Sequence, residues 1–276
     1  PRFRSCRFAA AYPFAQVCLQ DDAVPLHVRL EAFNPLVPGD TDVSGLPVAV
    51  LRYVLSNPTD TPIEATLCGS ISNLTAGTMH STTFRDTRGL RGLFMYSTEG
   101  DNTAREWGSM ALSTSAPDVS HTCTWSLENW RRPLLHLWDD LADDGRLRSV
   151  GDATAAGPLM GSLAASVTVP PHASRDLTFL LTWHFPNRYN WAPRSLPCEC
   201  TPARLDPSDR IGNYYTEQFG DAWQAAEAIS QRLPELEAAS LAFTHAFCGS
   251  SLPPEVKEAA LFNVSTLRTQ TCFRTP

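Results

Sequence analysis

Two neighbouring stretches, LPVAVLRYVL (residues 46–55) and IEATLCGSI (residues 63–71), decide the fold class. The second alternates, with Ile63, Ala65 and Leu67 on one side and polar residues on the other, which is the period of a half-buried β-strand. The first is apolar on both sides except at Arg52, which is typical of a strand covered on both faces. NPTD (residues 57–60) supplies turn residues between them, so the sequence predicts a hairpin within an antiparallel sandwich.

The same alternation recurs along the first two thirds of the chain. It predicts a strong strand over residues 176–185 and further strands near residues 90–96, 106–114, 120–127 and 162–169. Residues 131–158 have helical and loop character around LLHLWDDLADDG, and we expect an insertion or loop there. The fold class predicted for residues 1–188 is a mainly β, antiparallel β-sandwich.

The pattern of apolar residues changes after residue 186. A loop rich in Pro, Arg and Cys leads to residue 212, and an apolar stripe of helical period follows through Phe219, Trp223, Ala226 and Leu233. We expect Pro234 to kink or split this helix and a last helix to run from about residue 254 to 267. The predicted domains are therefore 1–188, a connecting loop 189–212, and a helical part 213–276.

Composition excludes some partners. The 276 residues carry a net charge of -7 with acidic residues spread along the chain, whereas a nucleic-acid partner requires a basic stripe. No stretch of the sequence approaches the run of about 18 apolar residues that a transmembrane helix needs. Eight cysteines in a chain too large to need disulfides favour reduced thiols and a cytoplasmic location, while secretion stays open because an upstream signal could precede this sequence.

Residue patterns give no support for a metal or cofactor. Cys198 and Cys200 form the one close cysteine pair, but a structural zinc site needs four ligands, and none of the seven histidines has a ligand spacing. The acidic run Asp139, Asp140, Asp143 and Asp144 is interpreted as a solvated face. We therefore expect no metal and no cofactor.

Several polar residues lie within the predicted strands or in the joining helix. Glu31 lies in an apolar strand, where a carboxylate needs a partner such as an arginine. The alternatives are a structural ion pair, a backbone anchor for the loop that follows, and a role at a domain interface. His184 and His27 are interpreted as hydrogen-bonded strand residues. Tyr214, Tyr215 and Trp223 are assigned to the core of the joining helix.

Three well-separated motifs resemble glycoside hydrolase family 116, the non-lysosomal glucosylceramidase (bile-acid β-glucosidase) family. They are YPFA (residues 12–15) with VPLHVRLEAFNPLVPGD (residues 24–40), NYYTEQFGDAWQAAE (residues 213–227), and SLPPEVKEAALFNVSTLRTQTCFRT (residues 251–275). The resemblance rests on the order of these motifs along nearly the whole chain more than on any single motif.

The resemblance implies an N-terminal sandwich (supersandwich) followed by the first helices of an (α/α)6 catalytic barrel. It implies a retaining β-glucosidase with a glutamate nucleophile and an aspartate acid/base, both in the barrel beyond residue 276. No catalytic residue is therefore expected in this chain. Its expected partners are the barrel, which the sandwich shapes by packing on it, and a β-glucoside or glucosylceramide-like substrate reached through that barrel.

Substrate contacts are expected from residues with sugar-binding chemistry, which combines aromatic faces with amides and arginines. The candidates are Asn187, Arg188, Tyr189 and Trp191 in one loop, and Arg268 and Arg274 after the last helix. Two other functions stay open: a stand-alone carbohydrate-binding or scaffold sandwich, and part of another sandwich-plus-barrel glycosidase or phosphorylase. The helical tail argues against the former, because its apolar face would have nothing to bury against.

Overall fold

The computed structural model describes residues 3–125, 133–190, 207–268 and 274–276. The strands are β1 (Ser5–Ala11), β2 (Phe14–Gln20), β3 (His27–Phe33), β4 (Val48–Ser56), β5 (Ile63–Ser72), β6 (Met79–Thr87), β7 (Leu90–Glu99), β8 (Ser109–Thr114), β9 (Val119–Thr122), β10 (Ala153–Ala156), β11 (Met160–Val169) and β12 (Ser174–His184). The helices are α1 (Thr41–Ser44), α2 (Pro133–Asp144), α3 (Tyr215–Gln218), α4 (Ala222–Cys248) and α5 (Pro254–Val264), with 3-10 turns at Pro207–Asp209 and Ser265–Arg268.

The strands form two antiparallel sheets. The large sheet has the order β1-β2-β3-β4-β12-β8-β7-β6-β10, and the small sheet has the order β5-β11-β9. The small sheet packs on one face of the large sheet, and α4 packs on the other face against β12, β8 and β7. The predicted mainly β, antiparallel sandwich is confirmed.

Strand β4 is apolar on both sides because both of its faces are buried. Val48 and Val50 are fully buried in the core cluster that contains Trp223 and Ile229 of α4. Leu55 is buried in the second cluster, between the two sheets. The two covering layers are thus one helix and one sheet, where the sequence predicted two sheets.

The predicted hairpin between residues 46–55 and 63–71 is wrong. Both strands exist, but β4 pairs with β3 and β12 in the large sheet, whereas β5 pairs with β11 in the small sheet. Asn57 redirects the chain from one sheet to the other: its side chain is buried, and its Nδ2 donates to the carbonyl oxygens of Thr61 at 2.7 Å and Val169 at 3.0 Å. A tight-turn composition indicates a change of direction and does not specify the sheet that the returning strand joins.

The remaining sequence predictions agree better with the structure. The strands expected near 90–96, 106–114, 162–169 and 176–185 correspond to β7, β8, β11 and β12, and that near 120–127 corresponds to the shorter β9. Helix α2 lies within the stretch 131–158 that was expected to be an insertion or loop, but the same stretch also supplies β10, which pairs with β6 at the edge of the large sheet.

Helix α4 is continuous over 27 residues and passes through Pro234, so the expected split does not occur. Asp221 caps its start by accepting from the amide of Gln224 at 2.8 Å. Trp223 is buried and donates from its indole nitrogen to Thr87 Oγ1 at 2.8 Å, which fixes the helix on the large sheet. The helix therefore shares a core with the sandwich, and the division 1–188, 189–212 and 213–276 remains a prediction.

Helix α5 makes little contact with the rest of the described chain. Leu261 is its one buried residue. Around it Val256 is 48% exposed and Phe262 is 53% exposed, and Leu267 in the following turn is 64% exposed. These three side chains are therefore largely uncovered by the part of the chain that the structure describes.

Candidate functional site

A groove of about 900 Å³ lies where the β3–β4 connection meets the segment that leads into α3. The first wall, from the β3–β4 connection, includes Asn34, Asp40 and Asp42. The second wall, from the end of β12 and the segment before α3, includes Trp183, Arg188 and Tyr214. Arg274, from the last described residues, also lines the groove. Two predicted contact residues, Arg188 and Arg274, are thus brought together although they are far apart in the chain.

The first wall is a rigid loop. Gly39 has φ +86°, a left-handed conformation that favours glycine, and Asp40 follows as the cap of α1, accepting from the amide of Val43 at 2.9 Å. Asn34 Nδ2 donates to the Val48 carbonyl at 2.5 Å. The amide of Leu36 donates to Ser240 Oγ of α4 at 3.0 Å, so the loop is anchored to the helix as well as to the sheet.

The second wall follows β12. Asn213 Nδ2 donates to the Phe185 carbonyl at 2.8 Å, and the hydroxyl of Tyr215 donates to the same oxygen at 3.3 Å. The amides of Ile211 and Gly212 both donate to the Arg188 carbonyl, at 2.7 and 3.0 Å. These bonds hold Arg188 between two fixed segments, with its guanidinium 3.4 Å from Asn213 Oδ1.

Arg274 closes the groove at one end. Its guanidinium carbon lies 3.3 Å from the centroid of the Tyr214 ring, and its Nη1 donates to Thr41 Oγ1 at 2.9 Å and to Asp42 Oδ1. The amide of Tyr214 donates to the Arg274 carbonyl at 3.1 Å. Arg274 therefore links the two walls through a cation–π contact and an ion pair.

Burial shapes the electrostatics of this groove. It lowers the pKa of Arg188, opposed by the neighbouring Tyr215, and it raises the pKa of the Tyr215 hydroxyl. Both groups keep their ordinary neutral-pH states, a cationic guanidinium and a neutral phenol. The groove thus offers aromatic faces, amides, carboxylates and a half-buried cation, the groups that bind a sugar or a polar aryl ligand.

The other predicted contact residues lie elsewhere. Asn187 is buried, and its Nδ2 donates to the carbonyls of Asn102 at 2.6 Å and Ala104 at 3.0 Å. Tyr189 is also buried and donates to the Thr103 carbonyl at 2.7 Å. These bonds fix the 101–105 loop and account for both side chains without a ligand. Trp191, Cys198 and Cys200 lie outside the described residues, as does the side chain of Arg268.

Glu31 has the arginine partners that its apolar strand required. Its Oε1 accepts from Arg29 Nε at 2.8 Å, and its Oε2 lies 3.9 Å from Arg52. Arg52 in turn binds both carboxylate oxygens of Glu237 on α4, at 2.6 Å each, and this bond raises the pKa of Arg52. The ion-pair interpretation of Glu31 is confirmed, and the chain of charges joins β3 and β4 to α4.

Other candidates are accounted for by packing. His184 packs edge-on against the Tyr215 ring at 6.2 Å, and burial lowers its pKa. Of the acidic run, Asp140 accepts from the amide of Arg148 at 2.6 Å, while Asp139, Asp143 and Asp144 are exposed. Across the described ranges, no group of three or more His, Cys, Asp or Glu residues could hold a metal ion.

Several lining residues were not predicted, among them Asn34, Asp42 and Tyr214. Asn34 belongs to the motif at residues 24–40 and Asp42 follows it by two residues, but their separation from Arg188 in sequence hides their proximity. Tyr214 was assigned to a helix core, whereas the structure places it half-buried before α3 with its ring against Arg274. Two consecutive tyrosines with one facing the core leave the other facing outward, which is the signal that could have indicated it.

Comparison with known proteins assigns the family. The family described as "beta-glucosidase 2, glycosyl-hydrolase family 116 N-term" matches residues 2–236. The chain belongs to glycoside hydrolase family 116. The matched part of this family 116 chain includes the sandwich, both walls of the groove apart from Arg274, and the first half of α4.

Other comparisons are more distant. A putative kojibiose phosphorylase from the human microbiome is similar at 7% sequence identity and a TM-score of 0.32; the match covers 61% of this chain and 17% of that protein. A search among curated proteins found no significant match. None of the helices in the described ranges is both long and apolar enough to cross a membrane.

Proposed function

We propose that this chain is the non-catalytic N-terminal part of a retaining β-glucosidase of the glucosylceramidase type, which packs on a catalytic barrel and shapes its substrate entrance. The observation that carries the proposal is the family match over residues 2–236. The enzyme that contains it would hydrolyse β-linked glucosides, with its two catalytic carboxylates in the barrel.

The uncovered residues near α5 support barrel packing. Leu252, Val256, Phe262 and Leu267 are each between 44% and 64% exposed within 16 residues of chain. Clustered exposed apolar side chains mark interaction surfaces, and a helical barrel beginning at α5 would bury them. The two sheets of the described chain do not cover these side chains.

The carboxylates that line the groove have other tasks, which supports a non-catalytic role. Asp40 is held by the backbone amides of α1, and Asp42 is paired with Arg274. A retaining pair needs two carboxyl groups about 5 to 5.5 Å apart with one free to attack the sugar. In the proposed function the groove instead contributes Arg188 and Tyr214 to the aglycone side of the entrance.

The decisive experiment compares hydrolysis of 4-methylumbelliferyl β-glucoside by this chain and by a protein extended through the downstream reading frame. We expect activity only in the extended protein. Activity of the 276-residue chain alone would overturn the non-catalytic assignment, and an inactive, folded extended protein would overturn the β-glucosidase assignment.

A second comparison tests the groove. In the extended enzyme, Arg188→Ala should raise KM for the aryl glucoside several-fold while leaving kcat within about twofold, because Arg188 would bind ground and transition states alike. Arg175→Ala, an exposed arginine at the start of β12, is the matched control and should change neither constant. Equal KM values for the two variants would remove the groove from the proposal.

The same proposal places the protein in a reducing, cytoplasm-like compartment. Its support is that all five cysteines within the described ranges, namely Cys6, Cys18, Cys68, Cys123 and Cys248, are free thiols. Titration of thiols in protein isolated without reductant would test it: a full count of free thiols is expected, and disulfide-linked peptides would contradict it.

A further inference from the structure

The last described residues of the chain lie on the second wall of the groove. Residues 274–276, which we call the strap, lie beside residues 212–214, although helices α4 and α5 separate the two segments in sequence. The amide of Tyr214 donates to the Arg274 carbonyl at 3.1 Å. Two ring carbons of Pro276, Cγ and Cδ, lie 3.1 and 3.3 Å from the point that a Cβ of Gly212 would occupy. The strap therefore contacts this wall through its backbone and through the ring of Pro276.

Gly212 allows this close approach. Its φ of +68° lies in the left-handed region that favours glycine, and a side chain at this position would have to displace Pro276. The amide of Gly212 donates to the Arg188 carbonyl at 3.0 Å. The strap is thus in contact with the segment that holds Arg188 in the groove.

The Arg274 side chain extends from the strap to the first wall. Its Nη1 donates to Thr41 Oγ1 at 2.9 Å and to Asp42 Oδ1, both at the start of α1. Its guanidinium carbon lies 3.3 Å from the centroid of the Tyr214 ring. A guanidinium that is stacked on a ring and paired with a carboxylate is restrained in both position and orientation. Arg274 therefore ties the position of the Tyr214 ring to that of α1.

We propose that Arg274 is a positioning residue: it holds the strap on the second wall, and through Tyr214 and Asp42 it sets the width of the groove. This inference rests on the proposed function, in which Arg188 and Tyr214 contribute to the aglycone side of the substrate entrance. An aglycone large enough to reach the groove then depends on Arg274 for its binding, whereas a methyl aglycone does not. Arg274 acts through its neighbours, which differs from the direct substrate contact expected from the sequence.

The first experiment measures amide hydrogen exchange in the 276-residue chain and needs no substrate. Arg274→Ala should raise the exchange rate of the Tyr214 amide at least about fivefold, because this amide loses its acceptor when the strap leaves the wall. Gly212→Ala should have the same effect, since its Cβ displaces Pro276. Gly89→Ala is the matched control, because Gly89 also has a positive φ, of +76°, but no described atom lies within 4 Å of its added Cβ. In this control the Tyr214 amide should exchange within about twofold of the wild-type rate.

The second experiment uses the extended enzyme and compares 4-methylumbelliferyl β-glucoside with methyl β-glucoside. Arg274→Ala should raise KM several-fold for the first substrate and by less than about twofold for the second, with kcat for both within about twofold. A substitution that only loosened the fold would affect the two substrates alike. Arg274→Lys keeps a cation beside Asp42 but loses the planar guanidinium, so it should restore KM in part.

Three results would contradict the inference. An unchanged exchange rate of the Tyr214 amide in Arg274→Ala would show that Arg274 does not hold the strap. Equal changes in KM for the two glucosides, or no change, would show that Arg274 does not act on the aglycone side, and the activity of the extended enzyme would leave the β-glucosidase assignment intact. A folded extended enzyme that hydrolyses neither glucoside would overturn the proposed function and with it the aglycone role, and the exchange rates would still decide whether Arg274 holds the strap.

Discussion

The ion pair between Arg52 and Glu237 links the sheet directly to α4, and its removal should measurably destabilise the protein. Arg52→Met deletes two charge-assisted hydrogen bonds of 2.6 Å each and leaves Glu237 without its partner. Both side chains are mostly buried, at 23% and 22% exposure. The substitution keeps the apolar stem that packs against the helix, so the loss reports on the charge.

The magnitude follows from the geometry. Hydrogen bonds to charged groups contribute about 1.5–3 kcal/mol each, but partial exposure lets water replace part of both, so we expect a total loss of about 2–3 kcal/mol. The double variant Arg52→Met/Glu237→Met removes the unpaired carboxylate and should recover about half of this loss.

Urea unfolding followed by tryptophan fluorescence and by circular dichroism would measure these differences in the free energy of unfolding. Arg148→Met is the control, because Arg148 is 87% exposed and 3.9 Å from Asp140, and it should change stability by less than about 0.5 kcal/mol. A loss for Arg52→Met no larger than that of the control would refute the argument that this pair fixes α4 on the sheet.

Three further changes test other parts of the structure. Trp223→Ala should destabilise by about 3–5 kcal/mol in the same unfolding assay because it leaves a cavity under α4, whereas Phe262→Ala, at an exposed position, should cost well under about 1 kcal/mol. Burial lowers the pKa of His184 below its ordinary value of 6.5, so the unfolded chain binds this proton at a higher pH than the folded chain does, and stability falls as the pH decreases below neutral. His184→Gln should therefore reduce the pH dependence of the free energy of unfolding, measured between pH 5 and 7, by up to about 1.4 kcal/mol per pH unit. Burial raises the pKa of Cys123 to about 11, so iodoacetamide at pH 8 should label the exposed Cys6 and spare Cys123 until the protein unfolds, as read by peptide mass spectrometry.

The sequence predicted strands more reliably than their partners. Alternation of apolar residues shows which side chains of β5 or β12 face the core, because that depends on local period alone. The neighbour of each strand depends on long-range packing, which is why β5 was assigned to the wrong sheet. Asn57 carries the information that redirects the chain, but its role depends on a carbonyl 112 residues away at Val169.

The candidate site shows the same division. Arg188 and Arg274 could be proposed from residue chemistry, and the need of Glu31 for an arginine could be stated from its apolar strand. The residues that form the groove walls could not be predicted from the sequence, because Asp42 contacts Arg274 across 232 residues of chain. Asn187 and Tyr189 have sugar-binding composition too, and only their bonds to the 101–105 loop distinguish them from Arg188.

The position of β12 has a consequence for synthesis on the ribosome. This last strand lies in the middle of the large sheet, between β4 and β8, and its Ser174 pairs with Ser56, 118 residues earlier. At about 5–20 residues per second, roughly 6–24 s pass between translation of these two positions. During that interval β1–β4 and β6–β8 are two separate half-sheets with open apolar edges. Co-expressed chaperones that cover these open edges should therefore raise the yield of folded protein.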